Sequence, residues 1–115
     1  MPRVLFPQEA RYLHDWNGQP ISKYALDILQ PGCIVRCVIA NESSKSSSWE
    51  ALYFEIIKCK DGTFWGKTLD TYRFQDAIGL PTDKITTFRK NHIMEIPISW
   101  QPPYIRKHLS RYLVK

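Results

Sequence analysis

Trp49, Tyr53 and Trp65 sit close together in WEALYFEIIKCKDGTFWGK, residues 49–67, which also holds Phe54 and Phe64. Aromatic side chains do two kinds of work in a small domain. Buried, each removes about 150–250 Å² from water and builds core. Exposed beside Lys or Arg, they stack on bases while the cations hold phosphate. The cations are unevenly placed. Residues 1–88 balance ten Lys/Arg against ten Asp/Glu, so the net charge of +5 lies in residues 89–115, where Arg89, Lys90, Arg106, Lys107, Arg111 and Lys115 face Glu95 alone. Such a bias attracts phosphate or an acidic surface. It equally suits the solvated face of a terminal helix, whose C-terminal dipole favours Lys and Arg.

Other chemistries find less to work with. Cys33 and Cys37 point to one face of a strand, about 13 Å apart at roughly 3.3 Å per residue, too far for one tetrahedral zinc. His14, His92 and His108 are scattered. No Gly-rich phosphate loop, G-x-S-x-G or H-E-x-x-H occurs. The acidic pair Asp70 and Asp76 falls in an irregular stretch. The reading is therefore a non-enzyme without metal or cofactor. The three cysteines, in apolar strand-like segments, read as free buried thiols of a reducing compartment.

The elements that would position these residues follow from pattern. EARYLHDW (9–16) has a short helical spacing, ended by NGQP at 17–20. Ser22 caps a helix over SKYALDIL, and Pro31-Gly32 stops it and launches a strand at 33–40. ESSKSSS (42–48) is a polar loop. WEALYFEIIKCK and TFWGKTL are strands around Asp61-Gly62, the dipeptide of a type I′ turn, and Gly66 marks a bend. Residues 70–84 read as a surface excursion with one helical turn at FQDAI. ITTF (85–88) and HIMEIPI (92–98) give two more strands, Pro97 placing the last at an edge. After Pro102-Pro103, Ile105, Leu109 and Leu113 form the stripe of a basic helix.

These elements predict one domain: an α+β, mainly β fold, a small bent antiparallel sheet or SH3-like half-barrel of 4–5 strands with short terminal helices. Residues 1–31 form an N-terminal helical segment, 32–98 the β-rich core and 99–115 the basic C-terminal helix. Leu52, Phe54 and Ile56 should enter the barrel, leaving Trp49, Tyr53 and Trp65 to be covered by the terminal segments or by a partner.

Residues 32–98 resemble the DUF2314-like domains, small β-rich proteins of bacteria, phages and large DNA viruses. The resemblance rests on Gly32-Cys33-Ile34-Val35, Leu52-Tyr53-Phe54-Glu55-Ile56, Gly62-Thr63-Phe64-Trp65-Gly66, the Asp83–Phe88 segment and the His92-Ile93 dipeptide, in that order. Thr82 stands where the family has Gly. The resemblance implies a small β-rich fold and carries no catalytic residue.

The expected function is a binding module for nucleic acid or a nucleoprotein assembly, contacted through the basic C-terminal segment and the hairpin aromatics. The alternative is a protein–protein adaptor or inhibitor of the counter-defence or immunity kind, docking through the aromatic hairpin; an enzyme of unrecognised type is weaker still. No apolar run reaches the ~18 residues of a bilayer span, and no signal-peptide pattern opens the chain. The expected setting is a cytoplasm, the host's if the chain is viral. Composition assigns no oligomeric state.

Overall fold

Asp61 and Gly62 adopt φ values of 51° and 79°, the pair of positive angles a type I′ turn requires. They join two strands, Trp49–Lys60 and Thr63–Thr68, as the sequence predicts. The structure is a computed structural model, and it describes residues 6–8, 10, 12–15, 17–40, 49–69 and 85–114. The loop expected at 42–48 and the excursion at 70–84 lie outside the described residues.

Around this hairpin runs a mainly β fold. Its strands are β1 (Phe6–Gln8), β2 (Ile34–Ala40), β3 (Trp49–Lys60), β4 (Thr63–Thr68), β5 (Ile85–Arg89) and β6 (Ile93–Glu95). All ladders are antiparallel, in the order β1-β2-β3-β4-β5, with β6 also on β2. β1 takes β2 at residues 38–40 and β6 takes it at Arg36 and Cys37, so they share one edge. The turn Lys90–His92, a 3₁₀ helix, carries the chain from β5 at one edge back to β6 at the other. Among the described residues no ladder joins β5 to β1 or β6, so the antiparallel sheet stays open.

The interior is filled by alternate residues, as a period of two demands. Val35 and Cys37 from β2, Leu52, Phe54 and Ile56 from β3, and Phe64, Phe88 and Ile93 are all buried. Phe54 and Phe88 rings lie 5.4 Å apart, Phe64 and Phe88 5.7 Å. Gly66 makes room for them. A Cβ there would sit 2.5 Å from a Phe88 ring carbon and 2.9 Å from Phe54 Cβ. Its role is close approach, beside a register shift between Ile56 and Lys58 on the facing strand.

Short helical elements extend this core. Lys23–Ile28 is a 3₁₀ helix, and the Ser22 hydroxyl caps it by accepting from the Tyr24 N–H. It contributes Ala25 and Leu26. Helix α1 (Pro103–Ser110) begins on Pro, whose missing N–H costs nothing at a first turn. It contributes Ile105 and Leu109 to the same cluster. Each of the buried Leu and Ile side chains stabilises the fold by about 1.5–3 kcal/mol.

Three expectations need correction. The described part of EARYLHDW is not helical: the His14 N–H donates to Met94 O and the Ile96 N–H to His14 O. The open edge of β6 outweighs a weak local preference, because its backbone groups need partners. The strand expected over 92–98 ends at Glu95, since Pro97 opens a 3₁₀ turn at Ile98–Trp100. The C-terminal helix stops at Ser110, where the chain turns to pair with residues 20–22. There the Ser22 N–H donates to Tyr112 O and the Val114 N–H to Pro20 O. Strand β1 was not foreseen.

Candidate functional site

The outward face of the hairpin is set by a β-bulge. Up to Ile56 the strand alternates as expected, with Glu55 opposite Lys67 and Ile56 opposite Gly66; beyond the bulge Lys58 faces Trp65 and Lys60 faces Thr63. One extra residue at Ile57 flips the side-chain parity. Lys58 and Lys60, which simple alternation sends inward, therefore join Trp65 outside. Across β4, Thr63 pairs with Arg89 and Trp65 with Thr87.

The result is a surface whose cations are Lys58, Lys60, Lys67 and Arg89 and whose described acid is Glu55. Trp65 is half-buried, its ring covered by the Lys58 ammonium 4.8 Å from the centroid. Ile57 and Ile85 are exposed on the same face. The short helices add Ala25, Leu26, Ile105 and Leu109 to the core cluster.

At the other end of β3, a row of side chains crosses the sheet. Tyr53 lies opposite Arg36, and Arg36 opposite Glu95. Glu95 is 2% exposed. Its carboxylate accepts from the Tyr53 hydroxyl at 2.6 Å and lies 3.6 Å from Arg36 Nη1 and 3.9 Å from His14 Nδ1. Arg36 also stacks over the Tyr53 ring at 5.0 Å, while its Nε is buried without a hydrogen-bond partner. Trp100 packs against Tyr53 at 4.9 Å between centroids and remains half exposed. A buried carboxylate beside a phenol and an imidazole has the ingredients of acid–base chemistry. Here those partners are spent on one another, and the row ties the N-terminal segment to β6, β2 and β3.

The sequence-derived residues divide among several places. Trp65 and Arg89 share the outer face. Tyr53 belongs to the Glu95 row, and Trp49 opens β3 with its side chain outside the described residues. Lys90 is ion-paired with Asp27 on the surface, a contact worth about 0–1 kcal/mol. Arg106 donates to Gln101 O at 3.1 Å. Lys107 and Arg111 are exposed, Arg111 beside a small cleft it shares with His108 and Gln30. Lys115 lies outside the described residues. Among the described residues, no ring or ion contact links the C-terminal cations to Trp65.

Pattern reading missed Lys58, Lys60, Arg36 and Trp100. The first two needed the bulge. The Pro residues flanking SWQ were the signal for Trp100, since they break the strand and swing it onto Tyr53. Gln101 was also missed: its side chain accepts from the Ile34 N–H at 2.7 Å and donates to Ile34 O at 2.6 Å, acting as a further strand on β2.

The cysteines correct one expectation. Cys33 and Cys37 are buried and Cys59 is exposed at the hairpin end. Burial pushes the Cys37 thiol well above its ordinary range. It raises Cys33 as well, against a backbone hydrogen bond involving Gln30. Among the described residues no group of three or more His, Cys, Asp or Glu could hold a metal ion. Nor is any helix there long and apolar enough to cross a membrane.

No protein-family model, curated protein or solved structure matches the chain.

Proposed function

We propose that this protein is a non-enzymatic binding module for single-stranded nucleic acid, contacted on the outward face of β3, β4 and β5. The observation that carries this reading is Trp65 beneath Lys58 on a face bordered by Lys60 and Arg89. A cation over a ring at the surface contributes about 0.5–1 kcal/mol, whereas a base stacked on an aromatic contributes about 1–3 kcal/mol. A base therefore displaces Lys58 from the ring, and the freed ammonium is then placed for the adjacent phosphate. The C-terminal cations Arg106, Lys107 and Arg111 add to the attracting field without forming the contact.

Fluorescence anisotropy with labelled single- and double-stranded DNA and RNA over a salt series tests this. Three phosphate-neutralising cations, Lys58, Lys60 and Arg89, give a log–log slope of about −2 for a single strand at about 0.7 per contact. Salt-insensitive or absent binding contradicts it.

A second reading, docking of a protein partner on the same face, is favoured by Ile57 and Ile85, 40% and 53% exposed beside Trp65. Such a partner is recovered stoichiometrically in a pull-down, and Trp65→Ala releases it while the domain stays folded.

A further inference from the structure

A groove runs along the opposite side of the Lys23–Ile28 turn and meets the outer face at the hairpin tip. Its central part has a volume of about 550 Å³, with Leu13, Leu26 and Ile93 below and Tyr12 and Tyr24 beside it. Those two tyrosines are 77% and 73% exposed. Large aromatic rings held this far out of the core make little packing contribution to the fold.

The groove continues in both directions through shared residues. Tyr12, Leu13 and Lys23 also line a cavity of about 420 Å³ that reaches His14 and Pro20. Leu26, Asp27 and Lys90 also line one of about 200 Å³ that reaches Lys60, Asp61 and Thr63. That end reaches Lys60 and Thr63 at the hairpin tip, and Thr63 pairs with Arg89 on the outer face. The three cavities adjoin through these shared residues, a continuous depression that an extended polymer can follow.

The charge along these cavities is net positive: Lys90 and Asp27 pair with each other, leaving Lys23 and Lys60 against Asp61. Among the described residues Lys23 has no ion-pair partner. Spaced cations with exposed rings between them are the layout by which proteins hold single strands without reading sequence: the groove follows the phosphates and the rings take the bases.

We infer that a single strand seated on Trp65 passes the hairpin tip at Lys60 and Arg89 and continues into this groove, with bases on Tyr12 and Tyr24 and phosphate at Lys23. The inference rests on the reading of the outer face proposed above, and it fixes the length and direction of the bound segment. A strand long enough to span both parts gains affinity over one that covers Trp65 alone.

The test uses labelled oligothymidylates of about 4, 8, 12 and 16 nucleotides, within the range of single-strand site sizes. Wild type is compared with Trp65→Ala, Lys23→Ala and the double variant Tyr12→Ala/Tyr24→Ala, each checked for an unchanged thermal melt. Both tyrosines are exposed, so the double variant keeps its core. In wild type, affinity rises with length beyond the shortest oligomer. The double variant binds the shortest oligomer as wild type does and loses about tenfold or more on the longest, roughly one base stack or better. Lys23→Ala lowers the salt slope for the longest oligomer by about 0.7. Equal affinity at all lengths, or a double variant that binds the longest oligomer normally, overturns the groove while leaving the Trp65 face intact. Binding that Trp65→Ala does not weaken contradicts the outer face itself. Capture of an extended peptide by Tyr12 and Tyr24, with no length effect for the oligomers, reassigns the groove to a protein ligand and also overturns the inference.

Discussion

The Tyr53 hydroxyl donates a 2.6 Å hydrogen bond to Glu95 although the strand β2 lies between them. Arg36 fills the gap, stacked on the phenol and facing the carboxylate. One buried acid thus fastens β3, β2, β6 and, through His14, the N-terminal segment. The cluster is a structural tie on the same sheet that presents Trp65.

Glu95→Ala leaves Arg36 and Tyr53 without their shared acceptor. Removing one member of a buried charged network costs about 3–5 kcal/mol, so the variant's urea midpoint should fall sharply. Tyr53→Phe removes one hydrogen bond to a charged group and costs about 1.5–3 kcal/mol. If Glu95→Ala unfolds at the wild-type midpoint, the tie does not exist in solution.

Gly66→Ala forces a methyl group into the Phe54–Phe88 contact. Overpacking of this kind costs about 1–3 kcal/mol or more, and chemical denaturation should show it. By contrast Gly18, where an added Cβ meets nothing within 4 Å, is limited only by its φ of 85°.

The hairpin was legible because its information is local: Asp61-Gly62 names its own turn, and Leu52, Phe54 and Ile56 alternate up to it. The faces beyond Ile57 were not legible, because a bulge is decided by pairing with β4 around Gly66, which no neighbouring residue encodes. EARYLHDW shows the same limit. Its helical spacing was real, but β6 offered unpaired backbone that a sequence window cannot see. The basic tail was read correctly as charge, and too long as helix, since residues 20–22 compete for its last turn.

Replacing Gln101 by Leu strands the amide and carbonyl of Ile34. Two unmet backbone groups cost about 2–6 kcal/mol. Amide hydrogen exchange at Ile34 should accelerate in Gln101→Leu more than at Phe54, which the interior β3 ladder protects. Unchanged protection at Ile34 would show that the side chain is not part of the ladder.

The thiols report the same architecture. A maleimide should modify Cys59 alone in the native protein and all three cysteines after denaturation. The Cys37 thiol is raised in the folded state, so in alkali the unfolded chain loses its proton first. Stability is therefore constant below the ordinary thiol range and falls as pH rises through it. In Cys37→Ala the melting temperature should start lower but decline less steeply over that window. Labelling of Cys37 in the native state would contradict its burial.

The central claim is that Trp65 is a ligand surface left open by the fold. The most direct measurement is the affinity of wild type and Trp65→Ala for one labelled single strand at fixed salt. The account expects the variant to bind about 5- to 150-fold more weakly, the value of one base stack, with the melt unchanged. Equal affinity in the two proteins, or no binding by wild type, would contradict it.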